Sequence, residues 1–530
     1  MIKRHHGKNF TLLFVAGLAF SAIAERPRPN ILLFFVDDMG IGDLSAYQAF
    51  TGIDDSVQIH TPTMDALAAE GILFTDTHTA ASLCSPSRWG LLTGKHPWRR
   101  ADVGHTLLSS KEKCFLGGEK TLPEAMQKAG YRTYGVGKWH VGLGINKQKV
   151  LTQGPLDFGF DHFFGQPHNP GINGSGPFIE ERGFSALDAD MKLLPVGVKG
   201  PRVKFTCAQY GQNYLDHFRK YASEVAAGGE FSGKPFFMYF SPNSNHTPYW
   251  PAEQIDGIQV IGESRTLSGE STVTKLAPLL DDHRDDQERY KLTHDSKKRG
   301  DMILENDVIL GRILKWLDET DDPRYPGHKM RDNTLIVFTS DNGSDVRLHQ
   351  NAERSVPAHG QLSGHKNTQF EGGHRVPFFA VWPGKIPEGK TSDLPISLLD
   401  LFATFTELAG TSPDEDAAPD SINLLPHWLN PDTAFSRKAP LITLGGKATP
   451  DMIKGEGGKD WISIRDGQFK LTLTKADFVN GTGEPVGLYD FSKTLVEDSK
   501  TNLIDNPEYA GQLKKMQKAL KKAATEGRTR

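Results

Sequence analysis

The chain has 530 residues, 24% charged and 37% hydrophobic, with a formal net charge of −4, the balance of a folded globular protein and not of a disordered one. So small a net charge excludes a general nucleic-acid binder, which would carry a strong basic excess. The 3 Cys are an odd number, so they cannot all pair with one another, and 54 Gly with 32 Pro foretell many turns.

Residues 1–24 stand apart. Lys3, Arg4 and Lys8 precede the apolar run "FTLLFVAGLAFSAI", which ends in Ala22-Ile23-Ala24. A basic start, a short apolar stretch and an A-x-A end describe a secretory signal peptide. The run is short for a membrane span, with an uncleaved anchor as the alternative. The expectation is cleavage near Ala24 and a secreted or periplasmic protein without stable membrane insertion. Length alone allows several domains, although large α/β enzymes exceed that prior. The organisation expected is a catalytic domain over 25–410 and a C-terminal subdomain over 411–530.

Four short apolar runs end abruptly in polar residues. "NILLFFV" meets Asp37-Asp38-Met39-Gly40, and "YRTYGV" meets Gly137-Lys138-Trp139-His140. "PFFMYF" meets "SPNSNHTP", which holds His246, and "TLIVFTS" meets Asp341-Asn342-Gly343. Such runs predict strands buried on both faces, as in a parallel sheet. Helical patterns alternate with them in "TPTMDALAAEG", "TLPEAMQKAG" and "DMILENDVILGRILKWLDE", which together predict an α/β fold. In open α/β sheets, ligands bind beyond the carboxyl ends of the strands. Four strands ending in metal-binding or acid/base residues therefore predict one site at one sheet edge.

Residues 264–300, crowded with charge, read as an inserted surface segment or a charged helix. "TSPDEDAAPD" (411–420) reads as a linker or long loop. Beyond it, "WISIRDGQFKLTLT" predicts two strands about an Asp466-Gly467 turn, "VGLYDFS" a further strand, and "AGQLKKMQKALKKAA" a basic amphipathic helix packed on the sheet. Cys114 and Cys207 are free to pair if Cys84 is reserved for chemistry; the sequence does not show whether they approach.

Asp37, Asp38, Asp341 and Asn342 offer hard oxygen ligands of high negative charge, a set suited to Ca²⁺ or Mg²⁺ and poor in the His and thiolate that zinc favours. Arg88, Lys138 and Lys366, with His140 and His246, add cations and proton carriers. A metal with Lys, Arg and His is equipment for an anionic, oxygen-rich transition state, as in phosphoryl or sulfuryl transfer.

The nucleophile comes from a resemblance. Cys84-Ser85-Pro86-Ser87-Arg88 followed by "LLTGK" resembles the signature of the type I, formylglycine-dependent sulfatases of the alkaline-phosphatase-like superfamily. "RPNILLFFVDDMGIGD", "GKWHVG", "HTP", "FTSDNG", "EGGHRVP", "LLDLFAT" and "IRDGQFKL" extend the likeness over nearly the whole mature chain. The family implies a large, mainly parallel mixed sheet between helices and a smaller C-terminal α+β subdomain with a short antiparallel sheet.

The resemblance further implies that Cys84 is oxidised to Cα-formylglycine (3-oxoalanine) by a formylglycine-generating or anaerobic sulfatase-maturating enzyme. The hydrated aldehyde attacks sulfur through one hydroxyl, and the other helps expel sulfate. Asp37, Asp38, Asp341 and Asn342 would hold one Ca²⁺ with the residue made from Cys84, Mg²⁺ being the poorer candidate. Arg88 would stabilise the hydrate, and Lys138 and Lys366 would grip sulfate oxygens. His140 would accept the proton as sulfate leaves, and His246 would protonate the leaving alcohol, a role Lys366 can share.

Lys95 departs from the family's usual Arg. Asn245-His246-Thr247 and Asn342-Gly343-Ser344 match the glycosylation sequon, but modification there would block the site, so both are read as idle. Export and a polar chain favour a carbohydrate sulfate, from a polysaccharide or glycosaminoglycan. His105, His168, Arg347 and His349, on loops near the signature and the strand ends, are candidates for sugar contacts. The alternatives are an aryl-sulfatase or phosphatase-type hydrolase on the same fold, and a non-catalytic glycan-binding protein if Cys84 stays a thiol.

Overall fold

The computed structural model describes residues 26–99, 116–146, 151–169, 178–187, 193–194, 207–226, 228–275, 298–345, 362–445, 461–477 and 480–529. The first half of the chain supplies β1 (Asn30–Val36), α1 (Pro62–Ala69), β2 (Ile72–Phe74), α2 (Cys84–Thr93), α3 (Leu122–Lys128), β3 (Arg132–Gly137), β4 (His162–Gly165), β5 (Phe178–Glu180), β6 (Gly183–Leu187), β7 (Leu193–Leu194), α4 (Tyr210–Ala226) and β8 (Phe236–Ser241). The second supplies α5 (Arg299–Glu319), β9 (Thr334–Ser340), β10 (Phe378–Val381), β11 (Lys390–Ser392), α6 (Asp400–Leu408), β12 (Leu441–Gly445), β13 (Trp461–Asp466), β14 (Phe469–Asp477), β15 (Thr482–Asp490) and α7 (Ala510–Thr525).

An 11-stranded sheet runs in the order β7-β6-β5-β4-β3-β8-β1-β9-β10-β2-β11. Its centre, β4 to β9, is parallel, and the flanks are mainly antiparallel. The four predicted strands are adjacent there as β3, β8, β1 and β9. Their carboxyl ends are level, with Gly137 opposite Ser241 and Val36 opposite Ser340. Gly137 has no room for a side chain, since a Cβ would lie 2.0 Å from the Ser241 carbonyl oxygen.

The apolar runs are continuous because each strand feeds two cores. Leu32, Phe34 and Val36 pack with α1, α4 and α5 on one face, while Ile31, Leu33 and Phe35 pack with α2, α3 and α6 on the other. Strands buried on both faces lose the alternating pattern of a half-exposed sheet. α3 starts as its sequence foretells, with a capping box between Thr121 and Glu124 and a Pro in the first turn.

The C-terminal sheet runs in the order β12-β13-β14-β15 and is antiparallel. Gly467 turns the chain between β13 and β14 at φ 59°. α7 covers this sheet, burying Met516, Leu520 and Ala523 against Ile462, Ile464, Leu471 and Leu488.

One stretch differs from its sequence reading. The segment 264–300 is not wholly superficial: Ser264, Thr266, Thr272 and Arg299 are buried, while 276–297 lie outside the described residues. Arg299 can leave water because both terminal nitrogens reach Asp43, at 2.6 and 2.5 Å. The stretch 411–420 is a loop, as read; its first part is exposed and its end is packed down, with Ala417 and Ala418 in the core shared with α2 and Asp420 accepting two hydrogen bonds of 2.6 Å from Arg99. Cys207 is buried before α4, and Cys114 lies outside the described residues. Among the described residues no helix is long and apolar enough to cross a membrane. Residues 1–24 lie outside them too.

Candidate active site

Asp37 and Asp38 leave β1, Lys138 and His140 leave β3, His246 follows β8, and Asp341 and Asn342 leave β9. Cys84 opens α2, with Arg88 one turn on and both wholly inside the fold. Lys366 arrives on the loop between β9 and β10.

The carboxylates and cations interlock. Lys138 Nζ donates to Asp37 Oδ2 at 2.6 Å, and Lys366 Nζ reaches both oxygens of Asp38 at 2.6 and 2.7 Å. Arg88 donates to Asp341 Oδ2 from Nη2 at 2.7 Å and from Nε at 3.0 Å, and its Nη2 lies 3.5 Å from Asp37 Oδ1. Asn342 Nδ2 donates to Asp38 Oδ1 at 2.7 Å. Cys84 Sγ lies 3.9 Å from Asp38 Oδ1, and His246 Nε2 lies 3.9 Å from Asp38 Oδ2.

Burial dominates the electrostatics. It pushes the Cys84 thiol far above its ordinary range, so Cys84 is a neutral thiol and a poor nucleophile as it stands. Burial opposes ionisation of Asp37, yet Lys138, His246 and Arg88 outweigh it and hold the carboxyl low. Asp341 moves the other way, raised by burial and by the charge of Asp37. Burial also works against the charge on Lys366, but Asp38 more than compensates and lifts the ammonium well above its usual range. His140 and His246 are both lowered, by burial first and then by Lys138 and Lys366 respectively.

The donor set fits a hard cation. Ligand atoms of Asp37, Asp38, Cys84 and Asp341 lie within 4.8 Å of one another. Two buried oxygens beside them, Asp37 Oδ1 and Asn342 Oδ1, have no hydrogen-bond partner. Oxygens left bare in so polar a site are what a Ca²⁺ or Mg²⁺ would satisfy.

Around the site, Asp38, His140, Asn245 and Asn367 all adopt positive φ, at 53°, 56°, 85° and 74°. Non-glycine residues in that region are uncommon, and they gather where function constrains the backbone. Asn245 and Asn342 are fully buried, which agrees with reading both sequons as idle. Lys95 pairs with Glu119 at 2.7 Å, so its departure from the family pattern touches local packing.

Of the candidate sugar contacts, His168 is described and lies beside the site: the neighbouring Pro167 carbonyl accepts the His140 N–H at 3.1 Å. His105, Arg347 and His349 lie outside the described residues.

Sequence reading missed the supports. Arg88 Nη1 donates to Ser241 Oγ at 2.6 Å and to Tyr239 OH at 3.0 Å, both at the end of β8. Glu305 of α5 brackets the His246 loop, accepting from Ser244 Oγ at 3.0 Å and from the Ala252 N–H at 2.8 Å. Ser241 and Tyr239 could have been suspected from their place at a strand end. Glu305 carries no local signal, since its partners lie more than fifty residues away in sequence.

The family model for sulfatases matches residues 29–411. The human N-acetylgalactosamine-6-sulfatase is 33% identical over 416 residues, spanning 76% of this chain and 66% of that protein. The N-acetylgalactosamine-6-O-sulfatase of Bacteroides thetaiotaomicron is 27% identical over 541 residues, spanning 93% of each chain. A solved Bacteroides thetaiotaomicron structure, described for the metabolism of multiple glycosaminoglycans, superposes with a TM-score of 0.67 at 24% identity, covering 94% of this chain and 100% of that one. The phosphonate monoester hydrolase of Silicibacter pomeroyi shares the fold at a TM-score of 0.56 and 17% identity, covering 92% and 94% of the two chains. Signature, sheet and family match agree: the chain belongs to the sulfatase family.

Proposed function

We propose that the chain is an exported sulfatase that hydrolyses a carbohydrate sulfate ester, with the 6-sulfate of N-acetylgalactosamine, free or in a glycosaminoglycan fragment, as the first substrate to test. The observation that carries this reading is the meeting of Cys84, three cations and three carboxylates at one sheet edge. The shared name of the human and bacterial relatives favours the sugar.

Cys84 would act after conversion to formylglycine, whose hydrate supplies a nucleophilic hydroxyl and a second hydroxyl for releasing sulfate. Asp37, Asp38, Asp341 and Asn342 would hold a Ca²⁺, whose charge offsets that building on the sulfuryl oxygens. Lys138 and Lys366, each already facing a carboxylate, would turn their remaining N–H groups to the sulfate. Arg88, pinned by Asp341, Ser241 and Tyr239, fixes the floor beneath residue 84. His140 has an unpartnered Nδ1, and burial with the cations around it disfavours its protonated form, so it would take a proton only against the negative charge of a bound sulfate. His246 Nδ1–H donates to the Thr247 carbonyl oxygen at 2.6 Å, leaving Nε2 to face Asp38; Nε2 would carry a proton to the leaving oxygen from the imidazolium form, which Asp38 favours against burial.

The test is peptide mass at residue 84 in protein from its native host, followed by sulfate release from N-acetylgalactosamine 6-sulfate and from an aryl sulfate, with a phosphate ester alongside. A loss of about 18 Da with faster turnover of the sugar sulfate is expected. An unmodified thiol in native protein overturns turnover and leaves glycan binding. Faster cleavage of the phosphate ester overturns the sulfatase assignment of the site.

A further inference from the structure

The loop bearing Lys366 is closed from outside the large sheet. The Glu497 N–H donates to Ser363 Oγ at 2.9 Å, and Glu497 Oε2 accepts from the Glu371 N–H at 2.6 Å. One residue, beyond β15, thus fastens both ends of residues 363–371. Between them the Lys366 N–H donates to the Ser344 carbonyl at 3.0 Å, and the Asn367 N–H to the Ser82 carbonyl at 2.9 Å. The loop therefore also touches the segments leading from Asp341 and into Cys84.

Glu497 is held by Lys470 of β14, whose Nζ lies 2.8 Å from Glu497 Oε1 and donates to Glu371 Oε1 at 3.0 Å. Lys470 Nζ also donates to His374 Nε2 at 3.1 Å. The tautomers follow from these partners. With Nε2 accepting, His374 Nδ1–H donates to His78 Nδ1 at 3.0 Å, and His78 Nε2–H donates to Asp76 Oδ1 at 2.7 Å. Arg375 and Arg465 complete the group, 3.4 and 2.8 Å from Asp76.

His78, Glu371 and His374 have the makeup of a metal site, but Lys470 is already the cation among them. A buried ion network of this kind seldom outdoes apolar packing for stability, because each charge forgoes water. Its partners lie instead on the segments that carry Lys366 and lead to Cys84.

We infer that the C-terminal sheet is a working part of the active site: Glu497, braced by Lys470, clasps both ends of the Lys366 loop and is a positioning residue for Lys366. This rests on the proposed role of Lys366 in gripping sulfate.

The test uses the full chain and inorganic sulfate as the probe, with affinity read by calorimetry. Glu497→Leu should weaken sulfate about tenfold, equivalent to about 1.4 kcal/mol, while the fold measured by circular dichroism is kept. In the Lys366→Ala background the same substitution should change affinity less than about twofold, since its effect runs through Lys366. A purely structural role predicts equal losses in both backgrounds, and that result, or an unchanged affinity in Glu497→Leu, overturns the inference. If Glu497→Leu does not fold, Ser363→Ala, which removes one acceptor of the clasp, is read by the same criteria. If Lys366→Ala alone binds sulfate like the parent chain, the proposed role of Lys366 fails before Glu497 is touched, and the clasp loses its purpose with it.

Discussion

Cys84 opens a helix, is almost sealed from solvent and has its thiol pushed toward the neutral form by that burial. A thiol so placed contributes little by itself, and in the proposed mechanism the chemistry comes from the formylglycine made from it. Cys84→Ser keeps the size and supplies an oxygen, but only one. The expected result is at most one alcohol released per chain, with steady-state sulfate release down by at least about 10³-fold, read in a burst experiment. Arg88 gives a second prediction at the same scale. Its fork meets Asp341, Ser241 and Tyr239 at once, and it stacks over Phe35 at 5.1 Å. Arg88→Lys cannot fill that geometry and leaves buried partners bare. Denaturant unfolding should show a loss of about 3–5 kcal/mol.

The strands were the most legible elements, because a run buried on both faces has few alternative homes. Their neighbours were harder to read. Arg299 sits in a charged stretch that reads as solvated, and only the distant Asp43 makes its burial tolerable. Glu305 on α5 is a similar case, and burial pushes its carboxyl up to about 7. Asp307, two residues on, is pushed up to about 6 by burial as well. The sign follows from proton counting. Between their unfolded values and these raised folded ones, the native state binds more protons than the unfolded chain, so each group favours folding as pH falls and disfavours it as pH rises. Glu305→Gln can still accept from the Ala252 N–H and donate to Ser244. It should therefore raise stability at pH 8 by on the order of 2 kcal/mol, with the gain gone by pH 4, as measured by denaturant unfolding at the two pH values.

Over the whole molecule, chain order and spatial order diverge. The sheet edge could be anticipated, since four strands each announced a polar end. The meeting of Asp76, Glu371, Lys470 and Glu497 could not, because those residues come from four separate stretches and none has a neighbour that hints at the others. Global stability should depend on the ion proposed for the site. Asp37, Asp38 and Asp341 crowd their oxygens together, and a divalent cation would relieve that repulsion only in the folded chain. A chelator should lower the unfolding midpoint, and Ca²⁺ at a hundredfold excess over its Kd should restore about 2.7 kcal/mol, with Mg²⁺ restoring less.

The left-handed residues bear on how this chain can change over generations. Asn245 keeps φ at 85° while its side-chain oxygen and nitrogen are both buried without a partner. Glycine would relieve the backbone and remove the bare amide together, so Asn245→Gly should stabilise the fold by about 1 kcal/mol, read by thermal unfolding. A lineage selected only for folding would drift to glycine at such a position. If Asn245→Gly also slows turnover, the asparagine beside His246 marks a place where thermal robustness and catalytic fitness pull in opposite directions.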